Sequence, residues 1–175
     1  LNSITRFCKK TQEYVDITLL AGIEITHTPP EQIESLVTFA RLNGADIVVL
    51  HGETICEPVP GGTNLAGIKA GIDVLAHPGL ISKEEVKIAA ERGVYLEISA
   101  RKAHGLGNGR VFQLAKKYNA KCVLDTDTHA PGDLFSEAYR KKVAFGAGMT
   151  EQEYESVLHN MRTIVNNITE KKYNI

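Results

Sequence analysis

Acidic and histidine side chains recur at five points along this 175-residue chain, roughly 20 to 30 residues apart, each where an apolar run ends. They are Glu24, His51, His77, Glu97 and the pair Asp127 and His129. Neutral imidazole nitrogen and carboxylate oxygen both bind borderline divalent cations, so zinc, manganese or iron would suit the set. Any one of these histidines is better explained by a hydrogen bond at a strand end. Their recurrence predicts a metal centre, with Glu97 as the structural member that hydrogen-bonds to a ligand.

The apolar runs before these residues are typical of strands, and helical patterns separate them. Strands are predicted at residues 16–25, 46–50, 73–76, 94–98 and 122–124, with 143–148 as a candidate sixth. Helices are predicted at residues 3–14, 29–42, 64–70, 82–92, 108–118 and 132–142, and from Thr150 into the 160s. Ser82 with Glu85 predicts a capping box, and Gly71 and Gly93 follow helices as stops. The alternation predicts an α/β fold with a parallel sheet, in which all strands end at one rim.

The composition indicates one domain spanning residues 1–175. An apolar fraction of 43% over this length is enough for one core. The net charge of −1 and the lack of a polybasic run disfavour nucleic-acid and membrane partners. The sequence has no apolar run as long as a membrane span, no recognisable signal peptide and no CxxC pair among its three cysteines. We therefore expect a cytoplasmic protein with reduced thiols and a small-molecule partner, and the oligomeric state stays open.

Five short motifs carry a resemblance to a known family. They are GIE at 22–24, HGE at 51–53, AHPG at 76–79, EISAR at 97–101 and DTDTH at 125–129. In this order and spacing they resemble the PHP family, the polymerase and histidinol phosphatase domains, over nearly the whole chain. The stretches HGET…EPV…GTN and ISARKxH…NG are similar to stand-alone, histidinol-phosphatase-like members. The resemblance implies a distorted (βα)7 barrel that holds up to three metal ions and hydrolyses phosphoesters.

The resemblance also implies roles for the predicted ligands. Glu24 would bridge two metal ions, and His51 and His77 would complete one of those sites. Asp127 would belong to the other site, and His129 would help to hold a third ion. The family's HxH strand and a second histidine-bearing strand have no counterpart here, since the chain opens in a predicted helix. We therefore expect an N-terminally incomplete barrel, lacking the first one or two β-α units, and an impaired catalyst.

The predicted chemistry is hydrolysis of a small phosphomonoester by a metal-activated water. Arg101 and Lys102 are predicted to neutralise the phosphoryl charge, and His104 to protonate the leaving alkoxide. Asn108 opens a predicted helix whose first amides favour an anion. In the alternative interpretation, the two cations are solvated loop charges and Asn108 is only a cap.

Two other functions remain open from the sequence. A PHP-type barrel of this kind could act on nucleic-acid ends as a phosphodiesterase or exonuclease, although no basic surface stands out. The barrel could instead be a non-catalytic module, which the missing HxH strand favours.

A few further polar residues receive structural interpretations. His27 is predicted to be a solvated loop residue, His159 a surface residue and Cys56 a bystander. Glu53 would either orient a ligand or cap backbone amides.

Overall fold

Five short parallel strands form one sheet in the computed structural model, which describes residues 1–173. The strands are β1 (Gly22–Ile25), β2 (Ile47–His51), β3 (Val74–Ala76), β4 (Tyr95–Ser99) and β5 (Cys122–Asp125). Strands that are neighbours in the chain are neighbours in the sheet, and every pairing is parallel. The predicted α/β fold with a parallel sheet is thereby confirmed, and such a sheet is compatible with a barrel-like fold.

Helices connect the strands and flank the sheet. They are α1 (Asn2–Thr11), α2 (Pro30–Leu42), α3 (Thr63–Ala70), α4 (Lys83–Arg92), α5 (Asn108–Tyr118), α6 (Glu137–Gly146) and α7 (Glu151–Tyr173). Single 3-10 turns lie at Gln12–Tyr14, Ala103–Gly107 and Pro131–Asp133. The predicted capping box of α4 is present, since Ser82 and Glu85 each accept a hydrogen bond from the other's backbone N–H. Gly93 ends the same helix at a φ of 71°, as predicted.

Helices cover both faces of the sheet, and α7 contributes to the clusters on both. On one face, apolar strand residues such as Leu50 and Leu96 join buried residues of α2 to α5 in the main core. On the other face, Val74, Tyr95 and Val123 form a smaller cluster with residues of α7. Side chains alternate along a strand, so the strand-end residues His51, Glu97 and Asp125 share this second face. The fold therefore places them beside one another at the carboxyl ends of the strands.

One predicted strand is shorter than expected, and another is absent from the described residues. Residues 16–21 lie outside β1, because the Gln12 side chain holds this segment, donating to Ile17 O at 2.7 Å and accepting from Leu19 N–H at 2.8 Å. Residues 143–148 are not a strand but the end of α6 and the turn after it. Ala144 is buried at a helical position, and Met149 N–H bonds back to Ala144 O at 3.1 Å. An apolar run of this length does not distinguish a buried helix end from a strand.

Helix α6 begins five residues later than the predicted residue 132. Residues Pro131–Asp133 form a separate 3-10 turn, and Ser136 caps the helix by accepting a hydrogen bond from Tyr139 N–H at 3.3 Å. Within residues 1–173, no helix combines the length and the apolar character that a membrane crossing requires.

Candidate metal centre

Three buried histidines meet at the carboxyl ends of the strands. His51 closes β2, His77 directly follows β3, and His104 lies in the 3-10 turn after β4. The ring centroid of His77 lies 4.4 Å from that of His51 and 4.1 Å from that of His104. Each residue offers one ligand atom, and the three atoms lie within 4.8 Å of one another. This histidine triad can therefore hold a metal ion.

Glu97 orients the central ring of the triad. Its Oε2 accepts hydrogen bonds from the His77 backbone N–H at 2.5 Å and from His77 Nδ1 at 3.0 Å. The second bond selects the tautomer with the proton on Nδ1 and the lone pair on Nε2. Both residues are buried, with exposed fractions of 2% for His77 and 1% for Glu97. The expected role of Glu97, hydrogen-bonded behind a ligand, agrees with this geometry.

The Nε2 atom of His77 is the feature of the triad that best fits a bound metal ion. It is buried and has no hydrogen-bond partner among the described residues. A buried acceptor left unpaired costs roughly 1–3 kcal/mol. A cation bound by the triad would use this lone pair, which no neighbouring protein donor satisfies.

The triad is neutral under ordinary conditions. Burial lowers the pKa of His51, His77 and His104, and the nearby His77 lowers the pKa of the other two further. Burial also raises the pKa of Glu97 to about 7 and, together with the Glu97 charge, raises that of its neighbour Asp125 well above the usual range. Neutral imidazole is the form that binds metals, so the triad is ready to bind one near neutral pH.

Unusual backbone conformations surround the triad. His27, His77 and Asp127 have φ values of 49°, 30° and 45°, in the left-handed region that non-glycine residues seldom adopt. Such residues cluster at functional sites, where the surrounding structure maintains the strain. The loops here also approach closely: a Cβ on Gly79 would lie 2.0 Å from Glu53 O, so only glycine fits.

The other predicted ligands gather around Arg101, beside β1 and β5. Arg101 Nη1 donates to Oδ2 and to the backbone O of Asp127, both at 3.1 Å, and also contacts His129 Nδ1. Glu24 is exposed to solvent on one side. Neighbouring groups nevertheless desolvate its carboxyl, and this desolvation, together with the charge of Asp127, raises the pKa of Glu24 to about 7. Among the described residues, Glu24, Asp127 and His129 belong to no candidate ligand group. The structure thus joins His51 with His77, but not with Glu24.

The loop after β2 supplies ligand candidates that the sequence interpretation missed. Glu57 Oε2 lies 3.1 Å from His51 Nε2 and 3.4 Å from His27 Nε2. Glu57 Oε1 lies 3.6 Å from His104 Nε2, and Cys56 Sγ lies 3.2 Å from His104 Nδ1. Cys56, predicted to be a bystander, therefore borders the triad. His27 is an exposed loop residue, as predicted, but its ring centroid lies 5.0 Å from that of His51. Cys56 and Glu57 follow His51 by five and six residues, and this closeness in the chain was the signal that the sequence offered for them.

Two predicted polar residues have structural partners instead. Glu53 Oε1 accepts from the backbone N–H groups of Gly62 at 2.9 Å and Asn64 at 3.0 Å, which confirms the capping alternative. Asn108 opens α5 as predicted, but its side chain is engaged with β4. Its Oδ1 accepts from Ser99 N–H at 3.0 Å, and its Nδ2 donates to Ser99 O at 2.8 Å. The Asn108 side chain is therefore not free to bind a substrate.

An open cleft of about 430 Å³ lies beside the triad. Its lining includes Cys56, Glu57, Arg101, Lys102, His104 and Phe135. The positively charged side chains of Arg101 and Lys102 thus line the same cleft as His104, which is one member of the triad. A cleft of this size admits a small anionic molecule.

No family model matches the chain. Over 144 residues it is 44% identical to an uncharacterized protein of Methanocaldococcus jannaschii. The match covers 82% of this chain and 66% of that protein, so the chain spans slightly less than two thirds of this relative.

The fold is similar to several solved structures. A chain in the cryo-EM structure of archaeal ribonuclease P with mature tRNA matches with a TM-score of 0.80 and 16% identity, covering 100% of this chain and 79% of that one. Ochratoxinase of A. niger matches with a TM-score of 0.60 and 22% identity over 78% of this chain and 37% of that enzyme. An amidohydrolase matches with a TM-score of 0.56 and 15% identity over 88% of this chain and 43% of its own. At such identities the likeness shows a shared fold.

Proposed function

We propose that this chain is a metal-dependent hydrolase of small phosphomonoesters, built on a PHP-type barrel. One observation carries the proposal. The buried triad of His51, His77 and His104, in which His77 Nε2 has no partner within residues 1–173, lies beside a cleft that is also lined by Arg101 and Lys102. A divalent ion bound there, such as zinc, manganese or iron, would lower the pKa of a bound water and would stabilise negative charge on oxygen. Hydrolase folds among the structural neighbours are compatible with this chemistry.

The chain's own residues divide the remaining tasks. His51 and His77 would hold the ion, and Glu97 keeps His77 in the tautomer that can do so. Arg101 is braced by Asp127 and presents its charge to the cleft, where it orients a phosphoryl group. Lys102 is exposed on the same wall and adds a second positive charge.

His104 has a different place in this proposal from the one predicted from the sequence. Its ring is buried, stacks on His77 at 4.1 Å and has a lowered pKa. These features favour metal ligation over proton donation to a leaving group. Glu24, Asp127 and His129 remain candidates for further ions of a PHP-type centre, and Glu24 would release a proton on binding one because its pKa is about 7.

The proposal is tested by phosphate release from a panel of small phosphomonoesters, with metal-free protein reloaded with zinc, manganese or iron. The parent chain and the matched control His159→Ala, altered on the exposed face of α7, should bind metal and release phosphate. His77→Ala should stay folded but lose both, because it removes a rim ligand and little core.

A labelled single-stranded oligonucleotide is included as a competing substrate. Cleavage of the oligonucleotide without phosphomonoester turnover would favour the phosphodiesterase alternative. Metal binding without hydrolysis of either substrate would favour a non-catalytic module and would contradict the proposed function.

A further inference from the structure

The segment Thr54–Glu57 brings a thiol to the edge of the histidine triad. Cys56 is exposed, whereas the other two cysteines, Cys8 and Cys122, are buried elsewhere in the fold. Its Sγ lies 3.2 Å from Nδ1 of His104 and 3.2 Å from Oγ1 of Thr54. An accessible sulfur thus touches a residue that also belongs to the triad.

Cys56, Glu57 and His104 form a second set of candidate ligands. Each offers one atom, and the three atoms lie within 4.8 Å of one another. Sulfur at about 2.3 Å and nitrogen at about 2.0 Å from a tetrahedral zinc ion lie roughly 3.5 Å from each other. The observed separation of 3.2 Å between Cys56 Sγ and His104 Nδ1 is close to that spacing. Thr54 Oγ1 lies 2.9 Å from the same Nδ1, and an ion bound by Cys56 and this nitrogen would replace that contact.

A second, independent observation points to a ligand at the same place. His77 is buried, its Nε2 has no partner among the described residues, and its ring stacks on His104. The unsatisfied acceptor therefore lies next to the residue that the thiol contacts. Glu57 lies between two members of the triad, since its Oε2 is 3.1 Å from His51 Nε2 and its Oε1 is 3.6 Å from His104 Nε2.

We propose that Cys56 is a thiolate ligand in this centre, acting with Glu57 and His104, and that it makes the protein select zinc or cobalt over manganese. Thiolate is a soft ligand that favours zinc, whereas manganese prefers oxygen ligands. The thiol proton leaves to solvent when the metal–sulfur bond forms. This thiolate site rests on the metal-binding part of the proposed function and holds for any substrate.

Cobalt titration of the reduced, metal-free full chain tests the thiolate ligand directly, with a non-thiol reductant present. The parent protein should develop a sulfur-to-cobalt charge-transfer band in the near ultraviolet, and zinc should abolish it by displacement. Cys56→Ser should bind cobalt without that band and bind zinc at least roughly tenfold more weakly. Cys8→Ser is the matched control and should keep the band.

Two further variants distinguish loss of the thiolate ligand from a general disturbance of the site. Cys56→Ala should behave like Cys56→Ser, with an unchanged far-ultraviolet circular dichroism spectrum. Glu57→Gln should keep the charge-transfer band but weaken binding. The ratio of zinc to manganese affinity should fall in both Cys56 variants, since the sulfur supplies the selectivity.

The outcomes separate this proposal from the proposed function. Cobalt binding without a charge-transfer band, and with equal affinity in Cys56→Ser, would overturn the thiolate ligand and leave a histidine-held metal intact. Absence of both cobalt and zinc binding in the parent chain would overturn both proposals.

Discussion

The carboxylate of Glu97 in β4 holds His77 at the end of β3 by two hydrogen bonds, one from the backbone N–H at 2.5 Å and one from Nδ1 at 3.0 Å. The same contact sets the position of the chain after β3 and the direction of the His77 lone pair. Glu97 thus fixes both the backbone at the end of β3 and the orientation of the His77 nitrogen that could bind a metal ion.

Replacing Glu97 by Gln should weaken metal binding roughly 10- to 100-fold, because the neutral amide holds the Nδ1–H tautomer less firmly. Zinc affinity measured by competition with a chromogenic chelator checks this expectation. Glu91→Gln, on the exposed surface of α4, is the control and should bind zinc as the parent does. Equal affinity in Glu97→Gln would mean that His77 is held by its backbone alone.

Replacing Asn108 by Ala should lower the free energy of unfolding by about 2–4 kcal/mol, since the buried N–H and C=O of Ser99 both lose their partner. Asn108→Asp keeps the acceptor for Ser99 N–H but not the donor, so its loss should be smaller. Urea unfolding followed by circular dichroism measures both variants. A stable Asn108→Ala variant with weakened phosphate inhibition would instead support the predicted substrate role.

Replacing Arg101 by Ala should weaken inhibition by inorganic phosphate. It should also lower kcat/KM, and the fall should correspond to a loss of roughly one to three kcal/mol of transition-state stabilisation, as expected for one charge-assisted contact. Steady-state kinetics of the metal-loaded protein provide both values. Lys102→Ala, exposed on the same cleft wall, should have the smaller effect because Lys102 has no hydrogen-bond or ion-pair partner among the described residues. Unchanged kinetics in Arg101→Ala would limit this side chain to bracing Asp127.

The lowered pKa of Glu153, which lies away from the candidate metal centre, predicts that the free energy of unfolding depends on pH. Hydrogen bonds from Lys116 and from the N–H and hydroxyl of Thr150 lower its pKa from 4.5 to about 2. The ionised form is thus stabilised by folding, so the contribution is complete above pH 4.5 and is lost as the pH falls towards 2.

Glu153→Gln should therefore be less stable than the parent at pH 7, by roughly 0.5–1 kcal/mol. The difference should shrink as the pH is lowered below 4.5. Urea unfolding at a series of pH values measures it, with the exposed Glu155→Gln as the control. A difference that does not change with pH would exclude the ionised carboxylate as its source.

The order of elements and the strand-end positions of His51 and His77 follow from the sequence alone. Apolar periodicity and caps such as that of Ser82 act over a few residues, so they are legible in the chain itself. Because the strands are parallel, the two histidines lie at the same edge of the sheet, and Glu97 lies next to His77 on the neighbouring strand. The bounds of β1 and α6 were misjudged, because Gln12 and Ser136 form local side-chain bonds that apolar patterns do not reveal.

The tertiary structure alone decided which residues complete the site. Cys56 contacts His104 across 48 residues of sequence, and Asn108 turns to Ser99 rather than to the cleft. These arrangements depend on loop conformations, and the path of the loop after β2 is set by close packing such as that of Gly79 against Glu53 O. Loop packing is a long-range property, since it is determined by contacts between segments far apart in the chain and leaves no periodic pattern in the sequence.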